Sequence, residues 1–153
     1  MPLFARVMFG WMNFLAARRG FEVEDTGDET EAGRARRRTG LRGETYAYWY
    51  LRRQGYTIVR RNYRVSGRRG EIDLIGWEGD ALCFIEVKTR STSTGGAPEE
   101  GVTLEQQREL AAMAHHYIAR RRLENVPVRF DVLALELRPG AAPIARLHKG
   151  AFR

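Results

Sequence analysis

Two apolar runs, Gly70 to Trp77 and Ala81 to Thr89, flank the short link Glu78-Gly79-Asp80, and this arrangement restricts the fold more than any other stretch of the chain. Both runs are rich in Ile, Leu, Val and Phe and are short, so each reads as a β-strand. Gly79-Asp80 suits the two-residue loop of a β-hairpin, which often needs positive φ. Such a loop determines every cross-strand partner. Trp77 faces Leu82, Ile75 faces Phe84, Asp73 faces Glu86 and Glu71 faces Lys88, all on one side of the ribbon because side chains alternate with period two. A three-residue loop would shift this register.

The face defined in this way changes from apolar beside the turn to ionic further away. Two carboxylates directly opposite each other sit about 5 Å apart at their Cβ atoms and repel. A divalent cation removes the conflict: Mg²⁺ binds oxygen at about 2.1 Å, commonly through one or two carboxylates, and keeps waters and phosphate oxygens as its other ligands. The plainer reading is an exposed sheet edge whose acids are balanced by Lys88 and nearby arginines. Lys88 is one of two lysines among 26 basic residues, and a compact ammonium can hold a water or a phosphoryl oxygen where a planar guanidinium cannot.

The order of elements is α-β-β-β-α-β-β. A helix is expected over Leu41 to Arg53, with Tyr46, Trp49 and Tyr50 on its apolar stripe and Gly55 ending it. A strand follows over Tyr56 to Tyr63, then a turn at Ser66-Gly67 and the hairpin. Ser91 to Gly101 reads as a loop, Leu104 to Leu123 as a long helix, and Val128 to Glu136 and Pro143 to His148 as strands. Before this domain, residues 1–38 read as an extension. Phe4, Met8, Trp11 and Leu15 have helical spacing, followed by an acidic stretch from Glu22 to Glu31 and the cluster Arg34, Arg36, Arg37 and Arg38, which together read as a charged linker.

A chain of 153 residues accommodates one domain with a core plus that extension, and 43% hydrophobic with 29% charged residues is a globular composition. The formal charge of +7 favours a polyanion as partner, because Lys and Arg neutralise phosphates regardless of base sequence. The first 19 residues are too short and interrupted for an integral membrane segment, and Asn13 weakens their resemblance to a signal peptide. Cys83 is the only cysteine, which excludes an intrachain disulfide and a cysteine-cluster zinc site and suits a cytoplasmic location. It reads as a small buried apolar side chain.

Gly43-Glu44, Gly70-Glu71-Ile72-Asp73-Leu74-Ile75, Phe84-Ile85-Glu86-Val87-Lys88-Thr89-Arg90 and Arg129-Phe130-Asp131-Val132 together resemble the YraN family of small bacterial proteins. By resemblance that family belongs to the restriction-endonuclease-like, PD-(D/E)XK superfamily and is similar to archaeal Holliday-junction resolvases. The likeness covers Gly40 to Phe152, so nothing transfers to residues 1–38. It implies an α/β fold with a restriction-endonuclease-like core, a central mixed β-sheet flanked by helices. It also assigns Glu44, Asp73, Glu86 and Lys88 to catalytic positions, with Asp73, Glu86 and Glu44 holding Mg²⁺, for which Mn²⁺ would substitute. Glu71 and Gln106 would support these groups from outside. The substrate implied is DNA, branched or damaged, and a homodimer would present two sites to two strands.

Several of these residues have ordinary explanations. Glu44 lies near a helix start, where a carboxylate suits the dipole. Thr103-Leu104-Glu105-Gln106 is a capping box that would occupy Gln106, and Gln106 stands where YraN relatives carry lysine. His115 and His116 are adjacent and lack the four-residue spacing of a helical metal pair. Asp131 pairs with Arg129 on one strand face. Arg60, Arg61, Arg64, Arg68, Arg69 and Arg90 are candidates for a nucleic-acid groove, and the aromatics Tyr46, Tyr48, Trp49 and Tyr50 read as core and helix surface. Three functions stand side by side: a metal-dependent endonuclease, a non-catalytic nucleic-acid-binding module of the same fold, and an adaptor recruited through residues 1–38.

Overall fold

The computed structural model describes residues 30–91 and 101–153, apart from the side chains of residues 35 and 36. The amphipathic stretch 1–19, most of the acidic stretch and nearly all of the Ser91 to Gly101 loop lie outside the described residues. Gly33–Arg153 form one compact unit. Its elements are α1 (Glu31–Arg53), β1 (Thr57–Tyr63), β2 (Ile72–Glu78), β3 (Ala81–Ser91), α2 (Leu104–Arg121), β4 (Val128–Leu137) and β5 (Ile144–Phe152).

The strands form one sheet in sequence order, β1-β2-β3-β4-β5. All neighbours are antiparallel except β3 and β4, which run parallel with α2 as the crossover between them, so the sheet is mixed. The α/β class, the element order and the mixed sheet agree with expectation. Two boundaries differ by more than two residues. Helix α1 starts at Glu31, ten residues before the expected Leu41, and takes in the arginine cluster read as linker. Ala and Arg are good helix formers and Glu31 lies in the first turn, which outweighs the cost of Gly33 and Gly40 inside the helix. Strand β5 continues four residues past His148, to Phe152.

Each face of the sheet carries one helix. On one side Tyr63, Ile72, Ile75, Leu82 and Phe84 pack against Leu110, Met113, Ala114 and Tyr117 of α2. On the other, Leu74, Cys83, Ile85, Leu133 and Leu135 pack against Ala47 and Leu51 of α1. Cys83 is fully buried there, and burial pushes its thiol up to about 11, which fits an inert side chain.

The stripe that α1 turns to the sheet is Gly43, Ala47 and Leu51, at i, i+4, i+8, all buried. Its side chains shrink toward the helix start, and this draws that end close to the sheet. A Cβ on Gly43 would lie 1.9 Å from Thr89 Oγ1 and 2.8 Å from Thr89 Cβ on β3. The helix closes on a Schellman motif: Gly55 has φ +96°, its N–H donates to Arg52 O at 3.2 Å, and the Tyr56 N–H donates to Leu51 O at 3.0 Å. Helix α2 begins with the expected capping box and ends in the same way, with Arg122 in the left-handed region at φ 56°.

The hairpin has the expected register from Glu78↔Ala81 through Trp77↔Leu82 and Ile75↔Phe84 to Leu74↔Ile85. Gly79 carries the positive φ of +59° and Asp80 does not, the signs of a type II′ turn. The ladder then stops. Where it would continue, the Val87 N–H donates instead to Asp73 Oδ2 at 2.7 Å. The alternation breaks at the same point, because Ile72 and Ile75 join the α2 cluster while Leu74 joins the α1 cluster.

Candidate functional site

This break in the hairpin creates the site. Asp73 is held by the Val87 amide at the point where β2 leaves β3, Glu71 follows in the segment leading into β2, and Glu44 arrives from α1 one residue after the close contact at Gly43. One carboxylate oxygen each of Glu44, Glu71 and Asp73 lie within 4.8 Å of one another. Glu86 and Lys88, two residues apart on β3, form an ion pair at 3.3 Å. The expected pairing of Glu71 with Lys88 is therefore corrected. With the ladder ended at Leu74, Lys88 turns to Glu86, and Glu71 accepts from Arg64 Nε at 2.7 Å.

The electrostatics follow from crowding acids in a partly dry place. Burial is the main cause that raises the Asp73 carboxyl far above the usual carboxylate range, and the charges of Glu86, Glu44 and Glu71 add to it against the Val87 amide. Glu86 is also raised, by burial first, and Lys88 opposes this. Glu44 is raised by burial and then by Glu71, while Arg61 and a side-chain hydrogen bond from Asn62 favour its charge. Asn62 sits at φ 48° on β1, a conformation that asparagine tolerates better than most residues.

The donor set is hard oxygen, which suits Mg²⁺ or Mn²⁺ and not a soft metal. Opposite oxygens on an octahedral Mg²⁺ are about 4.2 Å apart, so three carboxylates spread over 4.8 Å need only close slightly around an ion. Glu71, expected either to contact a metal or simply to pair with Lys88, lies in the cluster with Glu44 and Asp73, whereas Glu86 touches both Lys88 and Asp73. Gln106 is elsewhere. Its side chain accepts from the Thr103 N–H at 3.1 Å and its own N–H donates to Thr103 Oγ1 at 3.2 Å, as the capping box requires.

Of the candidate arginines, Arg61 and Arg64 border the acids. Arg60, Arg68 and Arg69 are exposed nearby in sequence, and Arg90 pairs with Glu136 at 3.3 Å. His116 Nδ1 lies 2.7 Å from Tyr63 Oη, with no acid between them. Asp131 has the structural role expected of it: fully buried, it accepts from Arg129 Nε at 2.7 Å, Tyr56 Oη at 3.0 Å and Gly150 N at 2.9 Å. Arg129 also donates to Glu78 at 2.6 Å, and Lys149 closes the network on the same acid. Gly43 and Asn62 were the residues sequence patterns did not single out as positioning groups. Their parts rest on contacts with Thr89 and Glu44 that only the fold creates.

Among the described residues, no helix is long and apolar enough to cross a membrane. The model of "Uncharacterised protein family UPF0102" matches residues 43–135, which include every member of the acid cluster. A UPF0102 protein of Koribacter versatilis is 46% identical over 116 residues, 75% of this chain and 79% of the relative. One from Solibacter usitatus is 43% identical over 126 residues, covering 79% and 94%. One from Symbiobacterium thermophilum is 46% identical over 116 residues, covering 76% and 97%.

Proposed function

The chain belongs to UPF0102, which is the YraN family, and from the acid cluster that it carries we propose that it is a metal-dependent endonuclease hydrolysing phosphodiester bonds in DNA, branched or damaged DNA being the favoured substrate. The observation that carries this reading is the convergence of Glu44, Glu71 and Asp73 within 4.8 Å, beside the Glu86–Lys88 pair, in a chain of net charge +7. On this reading the sheet and its two helices are a restriction-endonuclease-like core.

Asp73, Glu44 and Glu86 would hold Mg²⁺ or Mn²⁺, and Glu71, with an oxygen within 4.8 Å of those of Glu44 and Asp73, would join them. When bound, the ion would neutralise phosphate charge and lower the pKa of a coordinated water. Lys88 would orient the water or the phosphoryl oxygen through its ammonium, which Glu86 keeps in place at 3.3 Å. Val87 holds Asp73 by its amide, and Asn62 holds Glu44. Arg61 and Arg64 would receive the flanking phosphates. On this reading the protein would act in the cytoplasm, and a homodimer would place two such sites against two strands.

The test compares cleavage of linear, single-stranded and branched DNA in Mg²⁺ or Mn²⁺ by the parent, Glu86→Ala and Lys88→Ala. Cleavage is expected to disappear in both variants, and unchanged cleavage in both would sink the reading. The 2.7 Å bond between Arg64 and Glu71 favours a second reading, in which protein cations balance the acids and the fold only binds nucleic acid. That reading expects salt-dependent binding without metal-dependent turnover.

A further inference from the structure

Beside the stripe that faces the sheet, α1 carries a second stripe at i, i+4, i+8: Glu44, Tyr48 and Arg52. Helical rise places Tyr48 about 6 Å and Arg52 about 12 Å along the axis from Glu44. Edge strand β1 runs alongside. The Arg61 guanidinium lies over the Tyr48 ring, 4.8 Å from its centroid, and the same charge acts on Glu44. Arg52 follows on, 5.6 Å from the Tyr48 centroid and 5.5 Å from that of Trp49, with its Nη1 donating to Tyr48 Oη at 3.1 Å. Layered cations and rings thus lead away from the acids. They end at an open cleft of about 360 Å³ lined by Tyr48, Arg52, Gly55, Tyr56, Thr57 and Ile58.

The lining includes Arg52 and Tyr48 and no carboxylate, the reverse of the chemistry at the acid cluster, while Tyr56 is buried there with its hydroxyl held by Asp131 and Arg129. Its volume lies at the small end of ligand sites, suited to one planar group and far too small for a duplex. Guanidinium groups already held against rings offer cationic contacts at little entropic cost, which suits a nucleobase with its phosphate. We propose that this cleft, about 12 Å along α1 from the acids, holds an unpaired nucleotide beyond the one that is cut, so that the chain selects nucleic acid with a single-stranded segment over continuous duplex. The substrate preference rests on the hydrolytic reading of the acids, while the cleft's binding can be measured without it.

The full chain in EDTA is titrated by fluorescence anisotropy into a labelled single-stranded oligonucleotide, a blunt duplex and a duplex with a single-stranded tail. The parent is expected to favour the single-stranded and tailed probes. Arg52→Ala, and separately Thr57→Trp to fill the cleft from an exposed position, are expected to weaken binding to both by about tenfold or more while leaving the blunt duplex unchanged. With Trp11 and Trp77 replaced by phenylalanine, the emission of Trp49, in contact with Arg52, is expected to change only with the unpaired probes. Equal losses on all three probes, or no loss on any, overturn the cleft assignment. Intact preference in EDTA with no cleavage in Mg²⁺ or Mn²⁺ upholds the cleft and overturns the hydrolytic reading alone.

Discussion

Replacing Gly43 with alanine separates the demands of the site from those of stability. The added Cβ would meet Thr89 Oγ1 at 1.9 Å, Cγ2 at 2.7 Å and Cβ at 2.8 Å. Rotating the Thr89 side chain relieves the first two contacts, but its Cβ is fixed to the β3 backbone. Reaching even a tight 3.4 Å requires α1 to retreat by about 0.6 Å, and a comfortable distance by about 1 Å. Stability changes little, because overpacking costs about 1–3 kcal/mol while Gly→Ala inside a helix returns about 1 kcal/mol. Glu44, the next residue, moves with the helix away from Asp73 and Glu71. A displacement near 1 Å in a catalytic constellation costs on the order of 10²-fold in rate. Calorimetric Mn²⁺ titration should therefore show a large loss of affinity in Gly43→Ala, with a melting temperature lowered by no more than about 8 °C. Thr89→Gly in the same chain removes the fixed Cβ and should restore Mn²⁺ binding. Parental affinity in the single variant, or no recovery in the double, refutes the role given to this close contact.

Asp131→Ala should destabilise the fold by about 3–5 kcal/mol in urea titration, because Arg129 loses its buried partner and keeps Glu78 and the Tyr56 hydroxyl, while Tyr56 and Gly150 lose their acceptor; a loss below 1 kcal/mol would mean the network contributes little. Thr103→Ala should cost about 1 kcal/mol and Gln106→Ala somewhat less, with cleavage unchanged in both, whereas lost cleavage in Gln106→Ala would return that residue to the site. The pH response of the metal-free protein follows from the raised carboxyls of Asp73, Glu86 and Glu44. Across the window from their unfolded values near 4 up to the raised folded values, the folded state binds more protons, so stability falls as pH rises. Thermal melts should be lower at pH 8 than at pH 5.5, Asp73→Asn should flatten the difference and Mn²⁺ should offset it. A melting temperature that rises over this range contradicts the electrostatic picture.

The hairpin is legible in the sequence because Gly79 sets the turn and parity then places each neighbour down to Leu74↔Ile85. Parity cannot show where a ladder stops. That depends on the Asp73 carboxylate outcompeting a backbone oxygen for the Val87 N–H, and the pairing of Glu71 with Lys88 fails for this reason. The start of α1 is obscured by Gly33 and Gly40, whose cost is spread over a long helix that the sheet supports only from Gly43 onward. Asn62 carries no recognisable pattern, since its contact with Glu44 joins an edge strand to a helix.

Asp131 collects its donors from distant parts of the chain, Tyr56 lying 75 residues before it and Gly150 lying 19 after it. During synthesis a ribosome releases these partners at different times. A carboxylate with no solvent exposure cannot be enclosed until the last of them has emerged, so strands β1 to β4 wait for β5 before the sheet locks. The full set of bonds to the buried charge thus forms only once β5 has joined the sheet.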